Sequence, residues 1–409
     1  MNERRTQIAV LTASVLLMMI GSGAMFLLVV ALKPIAAEMG WPRSVPSIAY
    51  SLQFIGTGIG GLVMGHWLDR SGMAMPAALG GLMIAAGTVV AGLATSQVEF
   101  YFTYGIMLGL LGQATLFGPL SANITHWFVR RRGIAVGLVA GGQSLAGIVW
   151  PPIFRYFNEA IGWRETFLWF GLFAFATMLP LSLVMRRKSP SQVAEHRHGA
   201  ATQQTDGNGM TALGVSPGTL QAILCAAIVG CCIAMSLPLA HLVSHATDIG
   251  IPLARAAELL SVMLMASFVS RTVCLGLVAD WVGGLRGLFL FSLVQGLSLV
   301  LLALMEGQTG IFIVAVVYGL GYGAILPSYP LILREYVPAV QIGRRTGMVL
   351  LFGTFGMAIG GWLGGFVFDM TGSYVPAFLI GAGANAANLL IVASLILRAR
   401  SGAAAITAA

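Results

Sequence analysis

Gly65-His-Trp-Leu-Asp69-Arg-Ser-Gly72 and Gly276-Leu-Val-Ala-Asp280-Trp-Val-Gly283 share one frame of glycine, aspartate and glycine. Each follows a long apolar run, and 276 − 65 and 280 − 69 both give 211. The same offset relates Gly112 to Gly323 and Pro119 to Pro330, while Gly162 and Gly372 differ by 210. A constant displacement across separate landmarks reads as a duplicated half. Secondary transporters are commonly built from such repeats, with the substrate site near mid-bilayer between them.

The runs between these landmarks are of membrane length. Of 409 residues, 57% are hydrophobic and 9% charged, with 53 glycines. Mean hydropathy is +0.88. Soluble domains carry about 25% charged residues, so a soluble multidomain enzyme is excluded. With about 20 apolar residues per span, the runs near 8–32, 45–67, 75–95, 99–126, 133–156, 164–185, 217–244, 254–279, 285–304, 310–333, 344–368 and 375–397 predict twelve helices. The expected fold is an all-α membrane protein of two pseudo-symmetric six-helix halves, 1–185 and 217–409. The stretch 186–216, rich in Gln, Ser, Thr, His and Gly, reads as a mobile cytoplasmic linker. The run 8–32 is too long for a cleaved leader and reads as the first span.

The net charge of +8 invites a nucleic-acid reading, but its placement points to the bilayer instead. With the N-terminus inside, the inner connectors and tails hold sixteen of the 22 Lys and Arg residues. The outer connectors hold Lys33, Arg43, Arg155, Arg164 and Arg255, and Arg271 lies within a span. That bias predicts an inner (cytoplasmic) membrane protein with both termini cytoplasmic. Lys33, Arg43, His241 and His245 gather at expected outer helix ends, as interfacial residues or as an attractor for anions. Cys225, Cys231, Cys232 and Cys274 lie in apolar stretches without CxxC spacing, so neither a disulfide framework nor a metal site is implied. No Gly-Lys-Ser/Thr occurs, and no intramembrane His/Asp/Glu cluster offers acid–base or metal chemistry; a cofactor-free non-enzyme is expected.

Arg271 stands nine residues before Asp280, roughly 14 Å up a helix and near mid-bilayer. An arginine there costs about 2.5–3.5 kcal/mol and requires a partner or a wet cavity. All 14 Asp and Glu fall in connectors, tails or terminal turns. The counter-charge is then the substrate, and a guanidinium fork suits a carboxylate. The alternative is a structural arginine bonded to helix carbonyls or bridging the halves. The glycine runs 56–61 and 356–365 read as small-residue faces for close helix packing.

The motif at 65–72 resembles the signature loop of the major facilitator superfamily, which implies gating roles for Gly65, Asp69, Arg70 and Gly72, with Asp280 as the second-half equivalent. Met73 and Ala74 replace the basic residues that usually follow. Trp127-Phe-Val-Arg-Arg-Arg-Gly-Ile-Ala-Val-Gly-Leu-Val-Ala-Gly-Gly142 resembles the fifth-helix signature of the monocarboxylate transporter family. Gly162-Trp163-Arg164 and Glu38-Met-Gly40-Trp41-Pro-Arg43 look like its bacterial members; oxalate–formate exchangers are more distantly similar.

The resemblance implies alternating-access transport of a monocarboxylate bound by Arg271, with a proton as possible co-substrate. It places Ser267 where the family often has an aspartate, and Ile20-Gly21-Ser22 where it has an acidic residue. No Lys or Arg occurs from Thr346 to Val367, where the exchangers carry a lysine, so a monoanion is favoured over a dianion. Tyr322 and Tyr318 would add aromatic hydroxyls. Thr115, Gln143, Met25 and Phe26 would line the opposite half, with helix packing as the alternative for each. The expected partners are the carboxylate, with or without a co-transported proton, and the lipid bilayer, for a monomer. A drug-efflux-like exporter of amphipathic compounds and a non-translocating membrane sensor are the competing functions. Drug sensitivity of a deletion strain would mark the first; saturable binding without flux would mark the second.

Overall fold

With no water in the hydrocarbon layer, every backbone N–H and C=O of a spanning segment must be paired within that segment, which selects helices. The computed structural model describes residues 3–128, 132–186, 215–274, 278, 281–305, 307–338 and 341–407, and among these it contains no strand. Its helices are α1 (Glu3–Met39), α2 (Ser44–Ser71), α3 (Ala74–Leu93) and α4 (Gln97–Trp127). Next come α5 (Arg132–Ile161), α6 (Trp163–Val184), α7 (Pro217–Asp248) and α8 (Leu253–Cys274). The last are α9 (Gly284–Leu304), α10 (Gln308–Tyr336), α11 (Ile342–Thr371) and α12 (Val375–Thr407).

Among the described residues, twelve helices are long and apolar enough to cross a membrane, one for each predicted run. Several run past the predicted ends: α12 continues to Thr407, α5 to Ile161, α1 to Met39 and α7 to Asp248. Helix α1 continues through Pro34, and the acids near the ends of α1 and α7, Glu38 and Asp248, have basic partners. Asp69 and Arg70, expected in a connector, lie within α2, which ends at Ser71. Gly72 and Gly283 then take φ +72° and +80°, a positive φ that favours glycine and recurs at the 211-residue offset. The side chains of Gly65, Asp69 and Arg70, and all of Asp280, lie outside the described residues, as does 187–214 of the expected linker.

Two compact units are present. One contains α1–α6 together with Leu242–Ser261. Within it α3 lies along α6, α1 along α5 and α6, and α2 along the first part of α4. The α2–α4 approach is backbone to backbone: a Cβ on Gly56 would sit 2.1 Å from the Gly105 carbonyl oxygen, and one on Gly60 2.5 Å from that of Leu110. The indole of Trp150 donates to the Met19 carbonyl at 3.0 Å and stacks on Phe154.

The second unit is built from α7 through His241, α8 from Val262, and α9–α12. Helix α9 packs on α10 and α12, where Asn385 Nδ2 donates to the Ser292 carbonyl at 2.6 Å. Gly356 and Gly360 bring α11 against the Val229 and Ile233 carbonyls of α7, and Ser236 Oγ donates to Met357 O at 2.6 Å. Large apolar side chains also face outward, Leu390 at 74% exposure and Leu304 at 65%. That arrangement is unfavourable in water and neutral against lipid tails.

Candidate functional site

Helix α10 is interrupted. It is helical to Gly323, turns at Ala324 and resumes at Ile325. Pro327 has no N–H, so the carbonyl four residues back, that of Gly323, receives no donor from the helix ladder. Arg271 Nε donates to that oxygen at 3.3 Å. Helix α8 widens into a π turn over Ser270–Cys274, a local unwinding frequent at functional sites.

Gly319 and Gly323 allow α10 to lie on α8. A Cβ at these positions would stand 2.1 Å from the Met263 carbonyl oxygen and 2.2 Å from that of Ser267. Ser270 Oγ donates to the Leu320 carbonyl at 2.5 Å. Ser267 is fully buried in this seam, one turn before Arg271, and its hydroxyl has no partner among the described residues. Arg271 is half-buried, and among the described residues no carboxylate pairs with it. A cation held by one edge on a backbone carbonyl, with no acid beside it, is suited to an anionic ligand.

The first unit carries the related break without the cation. Helix α4 is a π turn over Thr103–Gly112, tightens over Gln113–Thr115 and resumes at Phe117. Here the Gly112 carbonyl is taken by Thr115 Oγ1 at 2.6 Å. Subtracting the repeat offset, 271 − 211 = 60 and 267 − 211 = 56, so Gly60 and Gly56 occupy the places of Arg271 and Ser267.

Tyr318, expected as a ligand hydroxyl, donates to the Ala234 and Met235 carbonyls at 3.1 and 3.2 Å. Pro238 explains the first contact, because Ala234 lies four residues before it and lacks its ladder donor. Tyr322 stacks nearly parallel on Tyr318, centroids 6.2 Å apart, and its hydroxyl makes no hydrogen bond among the described residues. Arg271, Ser267, Tyr322 and Tyr318 thus belong to the second unit. Met25, Phe26, Thr115 and Gln143 belong to the first. Met25 and Phe26 are buried on α1, and Gln143 is half-buried. Thr115 is turned toward α3, where a Cβ on Gly80 would lie 2.0 Å from its Oγ1.

Several polar groups were not singled out from the sequence. Gln113 Nε2 donates to Ser22 Oγ at 3.2 Å, and its buried Oε1 and that of Gln53 have no partner among the described residues. A further signal was available, since amides buried in membrane spans are rare. Lys33 and Arg43, read as interfacial residues or as attractors of anions, are both engaged by Asp248. Lys33 Nζ lies 2.7 Å from Oδ1, and Arg43 makes a two-pronged pair with both oxygens. His241 Nε2 meets the Gly361 carbonyl at 2.8 Å and its ring stacks on Tyr374.

The two short motifs at 38–43 and 162–164 meet each other. Arg164 Nε reaches Glu38 Oε1 at 2.7 Å, its NH1 reaches the Gly92 carbonyl at 2.8 Å, and Trp163 Nε1 donates to Glu38 Oε2 at 2.6 Å. The four cysteines are free thiols, three of them buried.

A family model described as Major Facilitator Superfamily matches residues 13–332 and 222–409. The chain belongs to the Major Facilitator Superfamily. Its similarity to members of that superfamily extends along most of its length. Monocarboxylate transporter 13 of Bos taurus is 28% identical over 365 residues, covering 86% of this chain and 79% of the relative. Monocarboxylate transporter 11 of Homo sapiens is 27% identical over 364 residues, covering 84% and 72%. The MFS-type transporter pynF of Aspergillus niger is 28% identical over 320 residues, covering 76% and 70%.

Among solved structures, a mutant of the nucleoside transporter NupG superposes with a TM-score of 0.73 at 14% identity, covering 95% of this chain and 99% of that one. A bacterial homologue of the lysosomal transporter Spinster gives 0.68 at 16% identity, covering 96% of each. Those identities speak for the fold alone. This Major Facilitator chain is a multi-pass membrane transporter.

Proposed function

We propose that the protein carries a small organic anion, most simply a monocarboxylate, by alternating access, with the carboxylate held by Arg271. The carrying observation is Arg271 itself: a half-buried guanidinium in a membrane span, tied by Nε to the Gly323 carbonyl and unpaired with any acid among the described residues. Ser267, one turn away with an unpartnered hydroxyl, and Tyr322 orient the ligand in this reading. Similarity to proteins named monocarboxylate transporters supports the substrate class.

With a single central cation the reading favours a monoanion over a dianion. Serine at position 267 does not titrate, so a proton, if it travels, is carried elsewhere. The reading keeps the inner-membrane orientation with cytoplasmic termini, the two six-helix halves as rocking bodies, the Asp69–Arg70 and Asp280 regions as latches, and a monomeric working unit.

The test is uptake of radiolabelled lactate, pyruvate and malonate into proteoliposomes, with and without an inward proton gradient. Saturable flux of lactate or pyruvate and none of malonate is expected. Flux driven only by the gradient makes the protein a proton symporter; flux indifferent to it makes it a uniporter or exchanger. No flux of lactate or pyruvate removes the substrate assignment.

A further inference from the structure

We propose that Pro327 is a positioning residue for Arg271: by withholding one backbone N–H it leaves the Gly323 carbonyl as the anchor for Arg271 Nε. This inference rests on the reading of Arg271 as the anion site. In an uninterrupted helix the Gly323 oxygen would be filled by the N–H of residue 327. Proline there has none, and the next amide, Ser328 N, goes to Ala324 O at 3.3 Å. The vacated acceptor lies in a seam where α10 touches the α8 backbone, with a Cβ on Gly323 only 2.2 Å from the Ser267 carbonyl oxygen. Arg271 Nε is the donor that reaches it.

The consequence is geometric. A guanidinium is planar with five N–H donors in a fixed fork. Holding Nε on a carbonyl fixes the plane and leaves the two terminal nitrogens as a pair, the edge that binds a carboxylate with two parallel hydrogen bonds.

The internal repeat offers a contrast. Gly112 opens the equivalent break in α4, and the residue equivalent to Pro327 is Leu116, since 327 − 211 = 116. Leu116 N turns to Gln113 O at 3.1 Å, and the Gly112 carbonyl is filled locally by Thr115 Oγ1. Where the first unit satisfies the orphan with a neighbouring hydroxyl, the second uses a proline and an arginine from another helix.

The test replaces Pro327 by residues that restore the N–H. Pro327→Ala and Pro327→Val are reconstituted beside wild type, Arg271→Ala and Pro330→Ala, which changes the other α10 proline away from the Gly323 carbonyl. Uptake KM and maximal rate are read for lactate and pyruvate, together with the thermal shift each acid induces in the purified protein. Either Pro327 variant is expected to raise KM by about tenfold, the size of one hydrogen bond to a charged group, with the maximal rate retained. Pro330→Ala is expected to keep the wild-type KM.

Wild-type KM in both folded Pro327 variants, with Arg271→Ala inactive, overturns the positioning role and leaves the anion site standing. Wild-type behaviour of Arg271→Ala, or no response of the wild type to either acid, overturns both. If neither Pro327 variant reaches the membrane folded, proline is needed for the fold itself and the positioning role is withdrawn.

Discussion

Gly319→Ala tests the packing that delivers Arg271 without touching a polar group. The new methyl would stand 2.1 Å from the Met263 carbonyl oxygen and 2.9 Å from the Ala266 Cβ. Contacts under 3.0 Å are not sustained, and the neighbour at 2.1 Å is helix backbone, which does not rotate away. The α8–α10 seam must therefore open by at least about 0.9 Å (3.0 − 2.1). Overpacking of this kind costs about 1–3 kcal/mol. The same opening would carry the Arg271–Gly323 contact from 3.3 to about 4.2 Å, beyond hydrogen-bonding distance.

Two readouts should then move together: a lower thermal midpoint in detergent and a higher KM for lactate or pyruvate in proteoliposomes. Gly360→Ala is the matched control. Its methyl would meet the Ile233 carbonyl at 2.4 Å, on the α7–α11 contact, so it should lower the midpoint and leave KM unchanged. Gly319→Ala with reduced stability but wild-type KM refutes the coupling between this seam and the site. An unchanged midpoint refutes the close approach.

Three further outcomes follow from the same geometry. Tyr318→Phe removes the donor to the carbonyls at the Pro238 kink and should cost about 1–3 kcal/mol of stability with KM unaltered; a raised KM at unchanged stability would make Tyr318 a ligand instead. Asp248→Asn loosens the Lys33–Asp248–Arg43 cluster, so a Ser244→Cys reporter, buried in the parent, should react faster with a maleimide; an unchanged labelling rate contradicts this. Glu38→Gln leaves Trp163 a partner but removes the charge facing Arg164. Because that pair is half exposed, the loss should be no more than about 1 kcal/mol in a chemical unfolding titration, and a larger loss would show that water does not screen it.

The spans were legible because each segment crossing lipid must be apolar along its own length, a local property that composition reports directly. Their extensions were not. Near the end of α1 Glu38 pairs with Arg164, 126 residues away, and Asp248 at the end of α7 is held by Lys33 of α1 and Arg43 of the α1–α2 turn. Arg271 stood out as the basic residue near the middle of a predicted span, far from either end, and the repeat made it sharper, since Gly60 occupies the equivalent place.

Its anchor was less visible. Pro327 four residues after Gly323 is a readable break, but which donor fills the vacated carbonyl depends on how α8 and α10 pack. For Tyr318, a hydroxyl in a span suggested a ligand, and what the residues did not show is its contact with the Ala234 carbonyl, 84 positions away and four before Pro238. The π segments in α4 and α8 left no pattern in the residues.

The most direct measurement is equilibrium binding of radiolabelled pyruvate and lactate to purified wild type and Arg271→Ala at matched thermal stability. Saturable binding to the wild type that is lost in the variant is the predicted result. Equal binding by the two proteins would contradict the assignment of the anion to Arg271.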